Sequence, residues 1–152
     1  MTDRKQQRIE LLRRLRELEM EHARAQHVAA QADLEQKRAA ADDTQGRIAA
    51  LDEWASAQIS GGSPLLPEVL RQAQLFRVVE AQALERQRGE ERQSVQKTEL
   101  AQGELAHRFE ELSVAERLGE RHARLVVVNE LRRGYVELDE AGAQRKNQEA
   151  KE

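Results

Sequence analysis

The chain of 152 residues contains no cysteine, only two prolines and only four aromatic side chains. Without cysteine it has no disulfide framework and no metal site with thiolate ligands. Aromatic residues make up 3% of the chain, although large aromatic and aliphatic side chains supply most of the buried area of a globular core. The composition therefore argues against a compact globular domain.

The chain also lacks a strong excess of either charge and any long apolar run. Its 25 basic and 28 acidic residues give a formal net charge of −3, which argues against a basic nucleic-acid binder. The longest bulky apolar run, Leu125–Val128, is far shorter than the roughly 20 residues of a membrane helix. The Arg-rich N-terminus has no apolar signal-peptide core. We therefore expect a soluble chain that does not insert into a membrane.

Helix-forming residues dominate what is present, because Leu, Ala, Glu, Gln and Arg are abundant. The only prolines, Pro64 and Pro67, follow the pair Gly61–Gly62, and glycine readily adopts the left-handed conformation that ends a helix. The second helix starts at Pro64 or at Pro67. The sequence predicts an all-α fold over residues 1–152, a single antiparallel two-helix coiled-coil hairpin. Helix one covers about 3–60, the turn about 61–67 and helix two about 68–150.

Apolar residues recur at helical spacing in both segments. In the first segment Leu11, Leu15 and Leu18 define one register, and Leu34, Ala41, Ile48 and Ala55 define another that does not join it smoothly. We therefore expect a stutter near residue 30. The second segment has seven-residue and three-four spacings at Val69, Phe76, Ala83, Val95, Thr98, Gln102, Leu105, Phe109, Leu112, Leu118, Leu125, Val128 and Tyr135.

The two predicted helices differ in length. A fold-over about residue 62 places residue 3 opposite a position near 120, so the remainder of helix two extends beyond helix one. We call the segment Leu125–Leu138 the overhang, and it holds the densest aliphatic run of the chain. Exposed apolar residues usually mark a partner, so the overhang is the best functional indication in the sequence.

Signals of catalysis are weak. The histidines His22, His27, His107 and His122 have no metal-binding spacing, and neither a phosphate-binding loop nor a nucleophile motif occurs. A two-helix hairpin encloses no cavity. We therefore expect no enzyme activity, no metal and no cofactor, and we interpret the histidines as solvent-facing.

Two further clusters allow two interpretations each. Basic residues near the N-terminus form either a solvated helix end or an electrostatic site for an acidic partner, and no aromatic residue is interleaved for nucleic-acid stacking. Near the turn, the bulky residues either close the hairpin by local packing or form a docking tip. The tip residues are Trp54, Leu65, Leu66 and Phe76.

The sequence resembles the FliJ/YscO family of bacterial type III secretion. The matching stretches are diffuse in Ile9–Glu17 and clearer in Leu118–His122 and Leu138–Ala141, with Arg145 behind, which is similar to the family pattern L-x-E-R … L-D-E-x-A-x-x-R. The chain departs from the family at Leu125–Val128, where members usually carry more basic residues.

The resemblance implies a cytoplasmic stalk, peripheral at the inner-membrane secretion apparatus. Family members look like the two-helix shaft of rotary ATPases. They are thought to insert into the hexameric secretion ATPase and to connect it to the export gate in the membrane. Some also bind export chaperones, and none hydrolyses ATP.

On this basis we expect two contact surfaces. The ATPase-ring contacts are Leu125, Val126, Val127, Val128, Leu131, Tyr135 and Leu138, with Arg121 and Arg124 beside them. The export-gate contacts are the tip residues Trp54, Leu65, Leu66 and Phe76.

Other interpretations stay open. The chain could be a scaffold coiled coil that only dimerises, or a holdase-like chaperone. The apolar stripe of the overhang could be covered by the N-terminus of the chain or by a second copy. The sequence does not distinguish a flagellar system from an injectisome, nor a free monomer from a free dimer.

Overall fold

The computed structural model describes the backbone of residues 2–62 and 66–149, and the side chains of 4–62 and 66–143. Two long helices make up the described chain, α1 (Thr2–Ser60) and α2 (Pro67–Glu149). They pack against each other without strands in the described ranges, which confirms the all-α helical hairpin. Helix packing forms two compact units. The turn unit is His22–Leu105, and the terminal unit combines Met1–Glu21 with Ala106–Glu152.

Glycine and proline set the two helix ends at the turn. The Gly61 amide donates to the Ala57 carbonyl at 2.9 Å, and Gly62 follows with a φ of 65°. This left-handed conformation favours glycine, so α1 ends where the sequence predicted. Of the two predicted starts, α2 begins at Pro67, and the Leu66 carbonyl accepts the Val69 amide at 2.9 Å. Ser63, Pro64 and Leu65 lie outside the described residues.

The most deeply buried residues in the seam of the turn unit are small. On α1 the residues at alternating four- and three-residue spacing are buried or half-buried, namely Ala23, His27, Ala30, Leu34, Lys37, Ala41, Thr44, Ile48, Leu51, Ala55 and Gln58. Ala41 and Thr44 are fully buried, and so is Ser94 on α2. Small side chains at these positions let the two backbones approach closely, while the continuous seven-residue repeat is that of a coiled coil.

The predicted stutter near residue 30 is wrong. Burial in the turn unit follows one uninterrupted repeat through Ala30, and the second predicted register, Leu34 with Ala41 and Ile48, belongs to it. The first predicted register does not face α2, because Leu11 and Leu15 are exposed on the opposite side. The apparent mismatch arose because an outward apolar stripe was interpreted as part of the seam.

In the terminal unit the seam of α1 is occupied by long side chains. Ile9, Arg13, Arg16 and Met20 are half-buried, and Leu112 and Ala115 are buried on α2. Gly119 of α2 faces Ile9, and Arg16 and Ala115 line one depression. Arginine can pack its aliphatic stem at such a position while its guanidinium reaches a carboxylate at the edge. This explains why apolar periodicity alone misplaced the seam here.

The helix register differs from the prediction by about one turn. Folding about residue 62 placed His107 opposite Arg16, yet Arg16 Nη1 lies 3.1 Å from Glu111 Oε2. Farther along, Gln6 and Ala123 line one depression. The register differs because the segment that joins the two helices runs from Ser60 to Pro67, so its midpoint lies slightly beyond residue 62. The N-terminal part of α1 therefore reaches α2 near residue 123, and the overhang follows that point.

Polar contacts fix the pairing of the helices in the turn unit. Ser94 Oγ donates to Asp33 Oδ2 at 2.7 Å, and Thr98 Oγ1 donates to the Ala30 carbonyl at 3.2 Å. Arg77 forms a two-point contact with Asp52, at 2.6 and 3.1 Å. Such hydrogen bonds and bidentate pairs require specific geometry, so they select one register.

Candidate docking surfaces

The overhang presents apolar side chains on nearly all its faces. From residue 125 to residue 143, every described residue is exposed except Val126 and Gly134, which are half-buried. The exposed fractions of Leu125, Leu131 and Leu138 are 51%, 58% and 70%. No described side chain in this range forms a hydrogen bond or ion pair with α1. The segment therefore presents a large apolar area to whatever surrounds it.

One face of the overhang contains a shallow depression. Val127, Leu131 and Leu138 border it at four- and seven-residue spacing, with Gly134 between them and Tyr135 beside it. A methyl group added at Gly134 would meet no atom within 4 Å. The depression can therefore accept a side chain from another helix, as a knob enters a hole in coiled-coil packing.

Charged residues flank this apolar segment. Arg121, Arg124, Arg132 and Arg133 are exposed, and Arg124 lies 3.7 Å from Glu120 within the same helix. Glu130 lines the depression, and Glu137 follows it seven residues later on the same side of the helix. The flanks therefore offer both signs of charge, with the arginines concentrated toward the beginning and middle of the overhang.

A second exposed apolar stripe lies on α1 in the terminal unit. Leu11, Leu15 and Leu18 are 65%, 51% and 64% exposed and point away from the seam. We call these three residues the outer leucine face. The leucine spacing predicts this stripe, but its assignment to the helix–helix seam is wrong. A second four-three repeat, formed by Arg13, Arg16, Met20 and Ala23, runs beside the leucines and is the one that faces α2.

The N-terminal basic cluster divides into paired and unpaired members. Arg13 and Arg14 contact Glu10 at 3.0 and 3.3 Å, and these contacts lower the pKa of the Glu10 carboxyl. Arg4, Lys5 and Arg8 are exposed and have no ion pair among the described side chains. Arg4 and Arg8 precede Leu11 at spacings of seven and three, so they continue the outer leucine face toward the N-terminus.

A four-residue charge cluster lies at the edge of the seam in the terminal unit. Arg16 lies 2.7 Å from Glu19 and 3.1 Å from Glu111, and Arg108 lies 2.9 Å from Glu111. All four side chains are about one-quarter to one-third exposed. Alternating charges in mutual contact satisfy one another, so this cluster stabilises helix pairing and is not an open binding site.

The predicted tip residues surround the end of the turn unit. The Asp52–Arg77 contact brings Trp54 and Phe76 to the same level of the two helices. Trp54, Phe76 and Leu66 are 37%, 49% and 69% exposed. Leu65 lies outside the described residues. The three described tip residues therefore all present accessible apolar surface.

The histidines do not come together, and their interpretation as solvent-facing is wrong for His27 and His122, which are half-buried, His27 in the seam of the turn unit. His22 contacts Gln26, and His107 Nε2 lies 3.8 Å from Glu111, both within one helix. His122 is half-buried, and its Nε2 is a buried atom without a hydrogen-bond partner. Among the described residues, no group of three His, Asp or Glu is placed to hold a metal ion. No described helix has the length and apolarity needed to cross a membrane.

Comparison with protein-family models gave no match, and comparisons with curated proteins and with solved structures also gave none.

Proposed function

We propose that this chain is the non-catalytic central stalk of a type III secretion system. In this proposal the overhang inserts into the ring of the hexameric secretion ATPase and stimulates ATP hydrolysis. The tip contacts the export gate at the inner membrane, and export chaperones bind the same stalk. The proposal starts from the sequence resemblance to the FliJ/YscO family and uses the two surfaces of the hairpin as its contacts.

The single observation that carries the proposal is the exposure of the overhang. Apolar side chains cover several of its faces, including Val127, Val128 and Leu131, and none of them has a described partner on α1. Apolar surface in contact with water is unfavourable by about 25 cal/mol per Å². A segment that is apolar all round suits an enclosing sleeve better than a single partner helix.

The charges beside the overhang support a ring as the partner. Arg121 and Arg124 are exposed just before the apolar run. Arginines at this position would meet acidic residues at the mouth of the ring, which raises the association rate more than the affinity. The apolar run would then enter the pore after the encounter.

The tip supplies the second contact in the proposal. Phe76 and Leu66 are largely exposed, and Trp54 has an exposed edge at the same end of the turn unit. Aromatic residues are rare in this chain, and Trp is the residue most often found as an interface anchor. A stalk with one contact surface in each unit can transmit a signal between two machines.

The test is stimulation of a hexameric secretion ATPase by purified variants of the chain. Val127→Asp combined with Leu131→Asp places two carboxylates on the depression of the overhang. Burying an unpaired charge is costly, so we expect stimulation to fall at least about tenfold while helicity by circular dichroism is unchanged. Unchanged stimulation with intact helicity would refute ring insertion.

The chain offers a matched control for this experiment. Leu75 and Val79 have the same residue types, the same four-residue separation and similar exposure, but they lie in the turn unit. Leu75→Asp with Val79→Asp introduces the same charge on the same kind of surface. We expect this variant to stimulate the ATPase like the parent chain.

A holdase-like activity is the second candidate, and the outer leucine face favours it. Leu11, Leu15 and Leu18 form a continuous exposed stripe that ring insertion does not use. A holdase would suppress aggregation of an unfolded client without any ATPase. Suppression by the parent chain, lost on Leu15→Asp and retained in the overhang variant, would support this candidate over the stalk.

A further inference from the structure

The outer leucine face of α1 is an exposed apolar surface that the stalk proposal does not use. Leu11, Leu15 and Leu18 are each more than half exposed and lie on the side of α1 that faces away from the seam. We propose that this face binds the surface of an anionic phospholipid membrane, with this part of α1 lying among the headgroups without crossing the bilayer. The inference concerns the free chain and does not rest on the proposed stalk function.

The heptad pattern of the terminal unit places the three leucines at the outermost positions of the helix pair. The inward a and d positions of α1 are half-buried and follow a four-three repeat, namely Ile9, Arg13, Arg16 and Met20. Counted from these, Leu11 and Leu18 fall at f positions and Leu15 falls at a c position. Positions b, c and f point away from the partner helix, so packing between α1 and α2 does not account for leucine at three of them.

Charge is segregated between the outer positions and the positions beside the seam. From residue 4 to residue 18, the b, c and f positions hold three leucines, three arginines and one glutamine, namely Arg4, Gln7, Arg8, Leu11, Arg14, Leu15 and Leu18. The acidic residues of the same stretch, Glu10 and Glu17, fall at e positions and both contact Arg13. The outer positions of this stretch therefore carry guanidinium groups and no carboxylate.

Most of these cations are available to an anionic partner. Arg4 and Arg8 are exposed and have no ion pair among the described side chains, whereas Arg14 lies 3.3 Å from Glu10. The basic apolar surface ends after Leu18, because Glu21 is exposed at the next outer position. The complementary surface must therefore be negative and must also accept apolar side chains.

The size and chemistry of the surface favour a membrane over a partner protein. The apolar area of three partly exposed leucines is small beside the roughly 800 Å² that each partner of a stable protein interface buries. A membrane needs no single large patch, because an anionic leaflet attracts each cation separately and each leucine adds its own contribution. Arginine beside a buried leucine can extend its guanidinium to the phosphate level and form two hydrogen bonds there.

The second helix does not obstruct this contact. Because α1 and α2 pack through the inward positions, α2 of the terminal unit lies on the side of α1 opposite the outer leucine face. A helix with its side chains is about 10 Å across, and an interfacial helix sinks about 5–10 Å into the headgroup region. This part of α1 can therefore enter the interface while it remains paired with α2.

The test is co-sedimentation of the full chain with large phospholipid vesicles. Vesicles of equal parts phosphatidylglycerol and phosphatidylcholine are compared with vesicles of phosphatidylcholine alone. We expect the parent chain to bind the anionic vesicles at least about tenfold more strongly, and this binding to weaken between about 0.1 M and about 1 M salt. No ATPase is present, so failure of this test is distinguishable from failure of the stalk proposal.

Removal of cations tests the electrostatic contribution. Arg4→Gln with Arg8→Gln should lower the partition coefficient on anionic vesicles at least about tenfold, because each cation near an anionic leaflet contributes a factor of about five. Arg24 and Arg86 are exposed in the turn unit and have no ion pair among the described side chains. Arg24→Gln with Arg86→Gln changes the net charge equally and should bind like the parent chain.

Removal of leucines tests the apolar contribution. Leu15→Gln with Leu18→Gln should lower the partition coefficient at least about fivefold, because binding of an interfacial helix scales with its buried apolar area. Leu125→Gln with Leu131→Gln makes the same change in the overhang, where these leucines are 51% and 58% exposed, and should bind like the parent chain. Circular dichroism of every variant measures whether the helices remain folded, which substitutions at outer positions should not change.

Two kinds of result would overturn the proposal. The first is a parent chain that binds anionic vesicles no better than neutral ones, which would leave an acidic protein surface as the partner of the arginines. The second is a failure of specificity, in which a folded variant of the outer leucine face or of Arg4 and Arg8 binds like the parent chain, or its control loses as much binding. Loss in the overhang control would assign the membrane contact to the overhang, and loss in the arginine control would assign it to net charge.

Discussion

At the scale of single residues, the seam mixes small residues and long polar side chains with leucines such as Leu34 and Leu112. Ala41, Thr44 and Ser94 are fully buried, whereas Leu11 and Leu18 are exposed. Hydrophobicity alone could not reveal this division, because leucine is the more apolar residue. Close approach of two backbones requires small side chains at the points of closest contact, such as Ala41, Thr44 and Ser94.

Gly119 is a residue whose replacement should stabilise the hairpin. It lies on the seam of α2, and an added Cβ would lie 3.6 Å from Ile9 Cγ2, an ordinary van der Waals distance. Gly119→Ala should therefore raise the free energy of unfolding by about 1 kcal/mol through helix propensity. Urea denaturation followed by circular dichroism measures the change.

Replacement of Gly62 is the control for Gly119, because it should change stability in the opposite direction. Its φ of 65° is unfavourable for a residue with a Cβ, so Gly62→Ala should lower stability in the same assay. An equal effect of both substitutions would mean that helix propensity is not the cause of the first.

At the scale of helices, the sequence predicts where α1 ends and α2 begins, but it does not predict which residues of the two helices face each other. The sequence places glycine and proline where α1 ends and α2 begins, and each residue acts there through its own backbone preference. The seam includes long polar side chains such as Arg13 and Lys37, which are half-buried and form ion pairs within α1. The register depends on where the connection is centred, which the composition of the turn does not specify.

The contacts between the helices predict loss of stability in acid. A hydrogen bond from Ser94 lowers the pKa of Asp33, and contact with Arg77 lowers the pKa of Asp52. The pKa of Glu91 is lowered by Arg88 within α2 and by Arg38 of α1, which lies 3.1 Å away across the seam. Because these pKa values are lower in the folded chain, the stabilisation is complete above the ordinary carboxyl pKa near 4. It is lost as the pH falls through the lower folded-state values.

Thermal melts between about pH 7 and pH 2 test this prediction, since the proton-linked loss occurs below the ordinary carboxyl pKa. Asp52→Asn and Glu91→Gln should each be less stable than the parent at pH 7 and should lose less stability in acid. Asp43→Asn is the comparison, because its contact with Arg47 lies within one helix. A parent chain with constant stability through this range would contradict the assignment.

The tip predicts an effect on secretion that is separate from ATPase stimulation. Trp54→Ala should lower secretion in a type III system while leaving ATPase stimulation intact, because it removes an exposed aromatic edge far along the chain from the overhang. A secretion assay measures the first effect, and the ATPase assay measures the second. Leu100→Ala, an exposed residue of the same unit, should change neither. Loss of helicity in Trp54→Ala would show that the ring acts mainly in packing.

At the scale of the whole molecule, the exposed apolar surface is the feature that calls for explanation. The prediction of an apolar segment beyond the helix pair came from the lengths of the helices and from the run Leu125–Val128. The outer leucine face could be recognised only when the seam was known. The stalk proposal uses the overhang and leaves the outer leucine face unused.

The most direct measurement is site-specific photo-crosslinking from the overhang in the presence of the hexameric ATPase. A photoreactive residue replaces Tyr135, which is exposed and borders the depression. Ring insertion predicts crosslinks to the ATPase at pore-lining segments, while the same residue placed at Leu75 in the turn unit gives none. Crosslinks from Tyr135 only to a second copy of the chain, or equal crosslinks from both positions, would contradict it.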